Sequence, residues 1–138
     1  MDDITDFHAW SLRQAEALRR RAGNEIDWDN VAGEIEALGR SFEDQIESRL
    51  EILLQHLLKW RYQPDMQCRS WLASIMEQRR RIARVIVKNP SLRNYPGEYL
   101  ANAFEEARAM AMLETGLDRM PEECPWTIAR VLDDDFLP

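Results

Sequence analysis

The sequence predicts an all-α protein, and its composition, its apolar spacing and its lack of strand patterns support this. Only five glycines and six prolines occur in 138 residues, whereas the helix-favouring residues alanine, leucine, glutamate and arginine are abundant. No alternating β-branched run bounded by turn residues is found. The length is that of one domain. We therefore expect a single-domain bundle over residues 1–138, with five main helices and a short C-terminal one.

The segment 41–60 is the expected centre of this bundle. Its large aliphatic residues recur at the spacing of one buried helix face: Ile46, Leu50, Leu53, Leu54, Leu57 and Leu58. Ser41 and Asp44 resemble a capping box at its start, and Pro64 ends it. At 1.5 Å per residue the helix would be about 30 Å long, roughly the span of a small domain.

Two helices are expected before this segment. The first begins at Thr5 or Asp6 and runs to about Arg21, where Gly23 and Asn24 end it. The second covers 28–38, is stopped by Gly39, and folds back against the central helix because the connection is so short. Its inward side is expected to hold Trp28, Val31, Ala32, Ile35 and Leu38.

Three helices are expected after it. Ser70 caps a helix over 70–88, whose inward residues are Trp71, Leu72, Ile75, Ile82, Ala83 and Ile86. Asn94 caps a further helix that runs to about Glu114, before Gly116. A short helix ends near Leu132, and we expect the tail after it to dock through Phe136 and Leu137.

The charge is unevenly distributed along the chain. The net charge is −7, but the segment 59–88 holds eight basic and two acidic residues, so that it is +6 and the remainder −13. The overall acidity argues against a surface that binds nucleic acid everywhere. The N-terminus shows no secretory signal and no apolar run is long enough for a bilayer, so we expect a soluble cytoplasmic protein with no membrane contact.

Arg79 is the most informative single residue. It lies on the apolar side of its predicted helix, between Leu72 and Ile86. Burying a guanidinium there without a partner would destabilise the fold by roughly several kcal/mol. Glu34 and Glu36 flank the stripe of the second helix and are the expected partners. A structural ion pair is favoured over a ligand-binding arginine.

Arg80, Arg81, Arg84 and Lys88 point away from the predicted core and are the candidate residues for contacts with phosphates. No aromatic interleaving or recognition-helix pattern accompanies them. A solvated basic face, able to meet the acidic face of another copy, is the preferred interpretation.

No catalytic, metal or cofactor motif is found. His56 and His8 lack a glutamate three positions earlier, as a di-iron bundle would require. Together with Cys68 and Cys124 they are too scattered for a zinc site. We expect His56 to be hydrogen-bonded in the structure, both cysteines to be free buried thiols, and no cofactor to be bound.

Several phrases resemble one known family: EIEALG, LLQHLLKWRYQP, EQRRRI, NPSLR, ETGL and CPWTIARVLDDDF. The chain resembles, nearly end to end, a bacterial family catalogued as domain of unknown function 29. This resemblance implies an all-helical domain and no assigned activity. The recurrent positions of that family match a polar–aromatic set in this chain: Glu34, Glu36, His56, Lys59, Trp60, Trp71 and Arg79.

Three functional hypotheses follow. The first is a non-catalytic protein-interaction or assembly module that self-associates, with a homodimer expected. It is based on the charge asymmetry and on five tryptophans, of which any left exposed would mark an interface. The second is a nucleic-acid-binding module that uses Arg80, Arg81, Arg84 and Lys88. The third is a small-ligand or enzymatic site around Glu34, Glu36, His56 and Arg79.

Overall fold

The computed structural model describes residues 4–138, and these residues contain α-helices and short 3-10 turns but no strand. The five α-helices are α1 (Phe7–Arg20), α2 (Trp28–Tyr62), α3 (Arg69–Lys88), α4 (Tyr95–Thr115) and α5 (Ile128–Leu132). The all-α prediction is therefore confirmed. None of these helices is long and apolar enough to cross a membrane.

The described residues pack into two compact units, one that ends at Ser41 and one over Phe42–Pro138. Helix α2 contributes residues to both units. The expectation of a single domain over residues 1–138 stays a prediction.

Helix α2 covers residues that were predicted to form two separate helices. The break at Gly39 is wrong, because the helix runs without interruption from Trp28 to Tyr62. The hydroxyl of Ser41 donates a hydrogen bond to the carbonyl oxygen of Leu38 (2.6 Å) instead of capping a new helix. A glycine inside a helix costs only about 1 kcal/mol, which the neighbouring helical residues offset. One long helix thus replaces two short ones.

In the first unit, helix α1 begins and ends through local hydrogen bonds. The carboxylate of Asp6 accepts from the backbone N–H of Ala9 (3.0 Å), which confirms the N-cap. The helix ends at Arg20. Its C-cap, Arg21, has a left-handed backbone (φ 56°) and lies two residues before the expected Gly23. The Gln14 side chain ties α1 to the start of α2: it donates to the Glu25 carbonyl (3.2 Å) and accepts from the Asp27 N–H (2.7 Å).

The predicted inward side of residues 28–38 is wrong. Trp28, Ile35 and Leu38 are 61%, 66% and 62% exposed, and Ala32 is exposed as well. Asn30 is buried instead, and its amide donates to the Asp27 carboxylate (2.7 Å). In this unit the polar side of α2 is therefore turned inward and the apolar side outward.

The core of the second unit confirms the predicted leucine stripe of α2. Five leucines are fully buried: Leu50, Leu53, Leu54, Leu57 and Leu58. They pack in one cluster with Ile75 and Ile82 of α3 and with four residues of α4: Ala103, Phe104, Ala107 and Ala111. Burying each such leucine stabilises the fold by about 1.5–3 kcal/mol. Ala83, which was expected inside, is exposed.

The remaining helix ends agree only in part with the prediction. The N-cap of α3 is Cys68 rather than Ser70. Asn94 precedes α4 as expected, and Gly116 ends that helix in the left-handed region (φ 74°). The tail docks through Phe136, whose ring lies 6.1 Å from that of Trp126, whereas Leu137 is 42% exposed.

Candidate functional site

A polar–aromatic cluster lies where the end of α2 meets α3 and α4. Lys59 is nearly buried, and its Nζ donates to the Glu114 carboxylate (2.8 Å). The same Nζ lies 5.0 Å from the centre of the Trp71 ring, within cation–π range. The hydrogen bond from Lys59 lowers the pKa of Glu114 below its ordinary value. The ammonium is thus paired twice, which compensates its burial.

His56 lies one turn before Lys59 and close to the same charges. Its Nδ1 is 2.8 Å from the carbonyl oxygen of Ile52, and because a carbonyl only accepts, Nδ1–H is the donor. Burial lowers the pKa of His56 below its ordinary value, and the charge of Lys59 lowers it further, while the Ile52 hydrogen bond and Glu114 oppose the shift. The geometry gives a half-buried, hydrogen-bonded histidine, and the hydrogen bond is as expected from the sequence.

The cluster contains three of the residues that the family resemblance singled out, and one that sequence reasoning missed. His56, Lys59 and Trp71 come together, and the missed residue is Glu114 of α4. Trp60 is half-buried against the leucine core, and its carbonyl accepts from the Gln67 side chain (2.9 Å). No signal in the sequence connects Glu114 with Lys59, which is 55 residues away.

Arg79 is buried, with 3% of its surface exposed, and it binds the C-terminal tail. Its Nε donates to the carbonyl oxygen of Val131 (2.8 Å), and its Nη2 donates to that of Phe136 (2.8 Å). Burial lowers the pKa of the guanidinium, while the nearby Asp134 and Asp133 raise it. Arg79 therefore fixes the position of the tail after α5.

The predicted ion pair of Arg79 with Glu34 or Glu36 is wrong. Among the described residues, Arg79 has hydrogen bonds to backbone carbonyls and no salt bridge. Glu36 instead lies 4.0 Å from Arg40, one turn along α2. Carbonyl oxygens accept the hydrogen bonds of a guanidinium without supplying a countercharge, and they carry no residue-type signal. The interpretation of Arg79 as a structural residue is nevertheless consistent with these contacts.

The four candidate phosphate-binding residues of α3 are all exposed: Arg80, Arg81, Arg84 and Lys88. Two of them are paired with one carboxylate, because Glu77 lies 3.7 Å from Arg80 and 3.0 Å from Arg81. These hydrogen bonds and charges lower the pKa of Glu77. Met76 and Val87, 59% and 78% exposed, lie beside the cations on the helix surface.

We call the set Trp28, Val31, Ile35 and Leu38 the α2 seam. The successive spacings of 3, 4 and 3 residues are those of the a and d positions of a heptad. At 100° per residue the four side chains fall within about 80° of one helix face. The heptad spacing can be read from the sequence. It was interpreted as the inward side of a short helix, so that the exposed seam was not predicted.

The part of the chain that the structure describes has no group of three or more His, Cys, Asp or Glu side chains placed to hold a metal ion. Cys68 and Cys124 are free thiols, as expected, but the expected burial is wrong, because Cys68 is exposed and Cys124 is only half-buried. Burial raises the pKa of Cys124, and its thiol donates to the Trp126 carbonyl (3.3 Å).

The chain was compared with protein families, curated proteins and solved structures. Neither the curated proteins nor the solved structures include a match. A family model matches residues 4–137, nearly the whole chain, and this family is described as a domain of unknown function, DUF29. The resemblance noted from the sequence is confirmed: the chain belongs to the DUF29 family.

Proposed function

We propose that this chain is a non-catalytic protein-interaction module that self-associates as a homodimer through the α2 seam. The observation that carries the proposal is the exposure of Trp28, Ile35 and Leu38, each more than 60% exposed on one face of a helix. Large apolar side chains concentrated on one exposed face mark contact surfaces in soluble proteins. Tryptophan in particular is enriched at the centres of such contacts.

The spacing of the seam favours a helix as its partner. Heptad a and d side chains insert between four residues of a facing helix, and Val31 completes the repeat between Trp28 and Ile35. Ala32 and Gly39, both exposed, lie on the same side of α2 and leave room for a close approach. A second copy presents an identical face, so that one two-fold axis pairs the same patch on both chains.

The free energy gained by burying the seam side chains is compatible with a reversible dimer. Burying the exposed part of one seam side chain would contribute about 1–2 kcal/mol, so that the eight side chains of two seams contribute roughly 8–15 kcal/mol. Association costs an estimated 4–15 kcal/mol in lost freedom of the two partners. The surplus of burial over cost therefore ranges from none to about 11 kcal/mol, and a micromolar dimer, which needs about 8 kcal/mol, lies within this range.

Sedimentation equilibrium between about 1 and 200 μM, the range in which a micromolar dimer dissociates, tests the proposal. At 300 mM NaCl the double variant Ile35→Glu/Leu38→Glu should be monomeric throughout, because carboxylates in the seam would lose their hydration on pairing. The matched control Met66→Glu/Leu113→Glu changes two residues that are 62% and 77% exposed but lie in the second unit, and it should dimerise like the original chain. A chain that is monomeric throughout, or a seam variant that dimerises unchanged, would refute the proposal.

Nucleic-acid binding through α3 is the second candidate, and the exposure of Arg80, Arg81, Arg84 and Lys88 favours it. Two features count against it. Glu77 pairs with two of these cations, and the exposed apolar side chains of Met76 and Val87 lie beside them. A DNA duplex of mixed sequence, titrated at low and high salt, separates the two candidates, because phosphate contacts weaken steeply with salt.

The hypothesis of an enzymatic or small-ligand site around Glu34, Glu36, His56 and Arg79 loses its support. It requires these groups to be available in an open cleft. The guanidinium of Arg79 is bound to two carbonyls, and Nδ1 of His56 is bound to a third.

A further inference from the structure

We infer that the outer face of α3 docks into the groove beside α4 of a second copy, in a contact separate from the α2 seam. Both surfaces belong to the unit Phe42–Pro138 and both are exposed to solvent. They have opposite charge, and each combines charged with apolar side chains.

The α3 face consists of six exposed residues that lie within about 100° of one side of the helix. They are Ala73, Met76, Arg80, Ala83, Arg84 and Val87. Met76, Ala83 and Val87 lie on one edge of this face, and Arg80 and Arg84 lie on the other with Ala73 between them. Helix α3 as a whole has six basic residues and one acidic residue, a net charge of +5. The face is therefore a basic amphipathic surface that is exposed to solvent, although Arg80 also lies 3.7 Å from Glu77 of the same helix.

The α4 groove has a volume of about 640 Å³ and lies between α4 and the segment that precedes α5. Leu100, Phe104 and Trp126 form its apolar lining, and its charged lining includes Glu105, Glu122 and Glu123. These three glutamates are exposed and, in residues 4–138, take part in no salt bridge.

One cation also lines the α4 groove, but its donors are occupied. Arg108 donates from Nε to the Pro121 carbonyl (2.8 Å) and from Nη2 to the Met120 carbonyl (3.3 Å). It thereby holds the wall of the groove in place. The segment 98–123 has seven acidic and two basic residues, a net charge of −5 that opposes the +5 of α3.

Charge complementarity of this kind gives orientation and specificity to a contact. The apolar side chains Met76 and Val87 would lie against the lining of the groove, while Arg80 and Arg84 face its carboxylates. Because the two surfaces differ, the contact is head-to-tail and extends to a third copy or closes into a ring. This inference shares with the proposed function only the identity of the partner, since it uses no residue of the seam.

The test uses the full chain with the seam disrupted by Ile35→Glu/Leu38→Glu, and it measures association by sedimentation at 20 mM and 300 mM NaCl. This background should still associate at low salt and be monomeric at high salt, because exposed charges are screened over roughly 8 Å at physiological ionic strength. Absence of association at low salt would overturn the inference and leave the seam dimer untouched. Association that is equally strong at both salt concentrations would overturn it too.

Two charge reversals in this background identify the surfaces. Arg80→Glu/Arg84→Glu and Glu122→Arg/Glu123→Arg should each weaken self-association by about tenfold or more, because like charges then meet. A 1:1 mixture of the two variants should associate again, since the reversed α3 face of one matches the reversed groove of the other. The control Arg69→Glu/Arg93→Glu alters the net charge as much as the first reversal, at exposed positions outside both surfaces, and should have little effect. Failure of the mixture to associate would refute the pairing.

Discussion

Arg79 illustrates how far one residue can be interpreted from its place in a helical pattern. Its position on the apolar side of α3 predicted a buried guanidinium that needs partners, and the structure buries it. The partners themselves, the carbonyls of Val131 and Phe136, could not be predicted. Every residue has a carbonyl, so only the path of the chain decides which one a guanidinium meets.

We expect Arg79→Ala to lower the free energy of unfolding by about 1–3 kcal/mol, because two buried carbonyls lose their donor. Arg79→Lys should recover only part of this, since one ammonium cannot reproduce the two directed donors of the guanidinium. The neighbouring Arg80→Ala, at an exposed position, should stay within about 0.5 kcal/mol of the original chain. Urea unfolding measures all three, and equal losses for Arg79→Ala and Arg80→Ala would contradict the structural role.

At the scale of helices, long apolar periodicity predicted the buried helix face reliably. A single glycine did not predict reliably where a helix ends. The leucine stripe of α2, the N-cap at Asp6 and the end of α4 at Gly116 were all predicted correctly. The break at Gly39 was not, because a glycine ends a helix only where the backbone turns left-handed. Gly116 does so (φ 74°), whereas Gly39 lies inside a continuous helix.

The two glycines should therefore respond oppositely to alanine. Gly39→Ala should stabilise the chain by about 0.5–1 kcal/mol, because a Cβ there meets nothing within 4 Å and helix propensity improves. Gly116→Ala should destabilise it by about 1 kcal/mol or more, since alanine is strained at positive φ. Urea unfolding and far-UV circular dichroism of both variants provide the check. A destabilising Gly39→Ala would mean that α2 is broken there.

At the scale of the whole molecule, the sequence predicts the fold class but not which apolar stripe is covered. The stripes over 28–38 and 46–58 both have helical periodicity, and both were assigned to the interior. Only the second is buried in the structure. Periodicity states that a helix has an apolar side, whereas the neighbours that cover this side come from elsewhere in the chain or from another chain. That is why the α2 seam became apparent only with the structure.

The pH dependence of unfolding is a second property of the whole molecule. Because the pKa of His56 is lowered from 6.5, the unfolded chain takes up this proton before the native chain does, and stability falls as the pH drops below about 6.5. Burial raises the pKa of Glu51 from 4.5, which has the opposite sign: stability from this group falls as the pH rises above 4.5. His56→Gln should therefore flatten the loss of stability between pH 7.5 and 5.5.

Urea unfolding at these two pH values measures the effect, and the difference between the original chain and His56→Gln isolates the histidine from Glu51. His8→Gln is the matched control, since it makes the same substitution at an exposed position of α1. If both variants lose the same stability on acidification, the lowered pKa assigned to His56 is wrong.

The clasp of Arg79 on the tail has a consequence for folding during synthesis. Helix α5 has only five residues, too few to persist without tertiary contacts. The carbonyl acceptors that complete the surroundings of Arg79 are translated more than 50 residues after it. Until residue 136 has left the ribosome, the guanidinium of Arg79 therefore donates to water instead of to both of these carbonyls, and its complete contact with the tail forms late in synthesis.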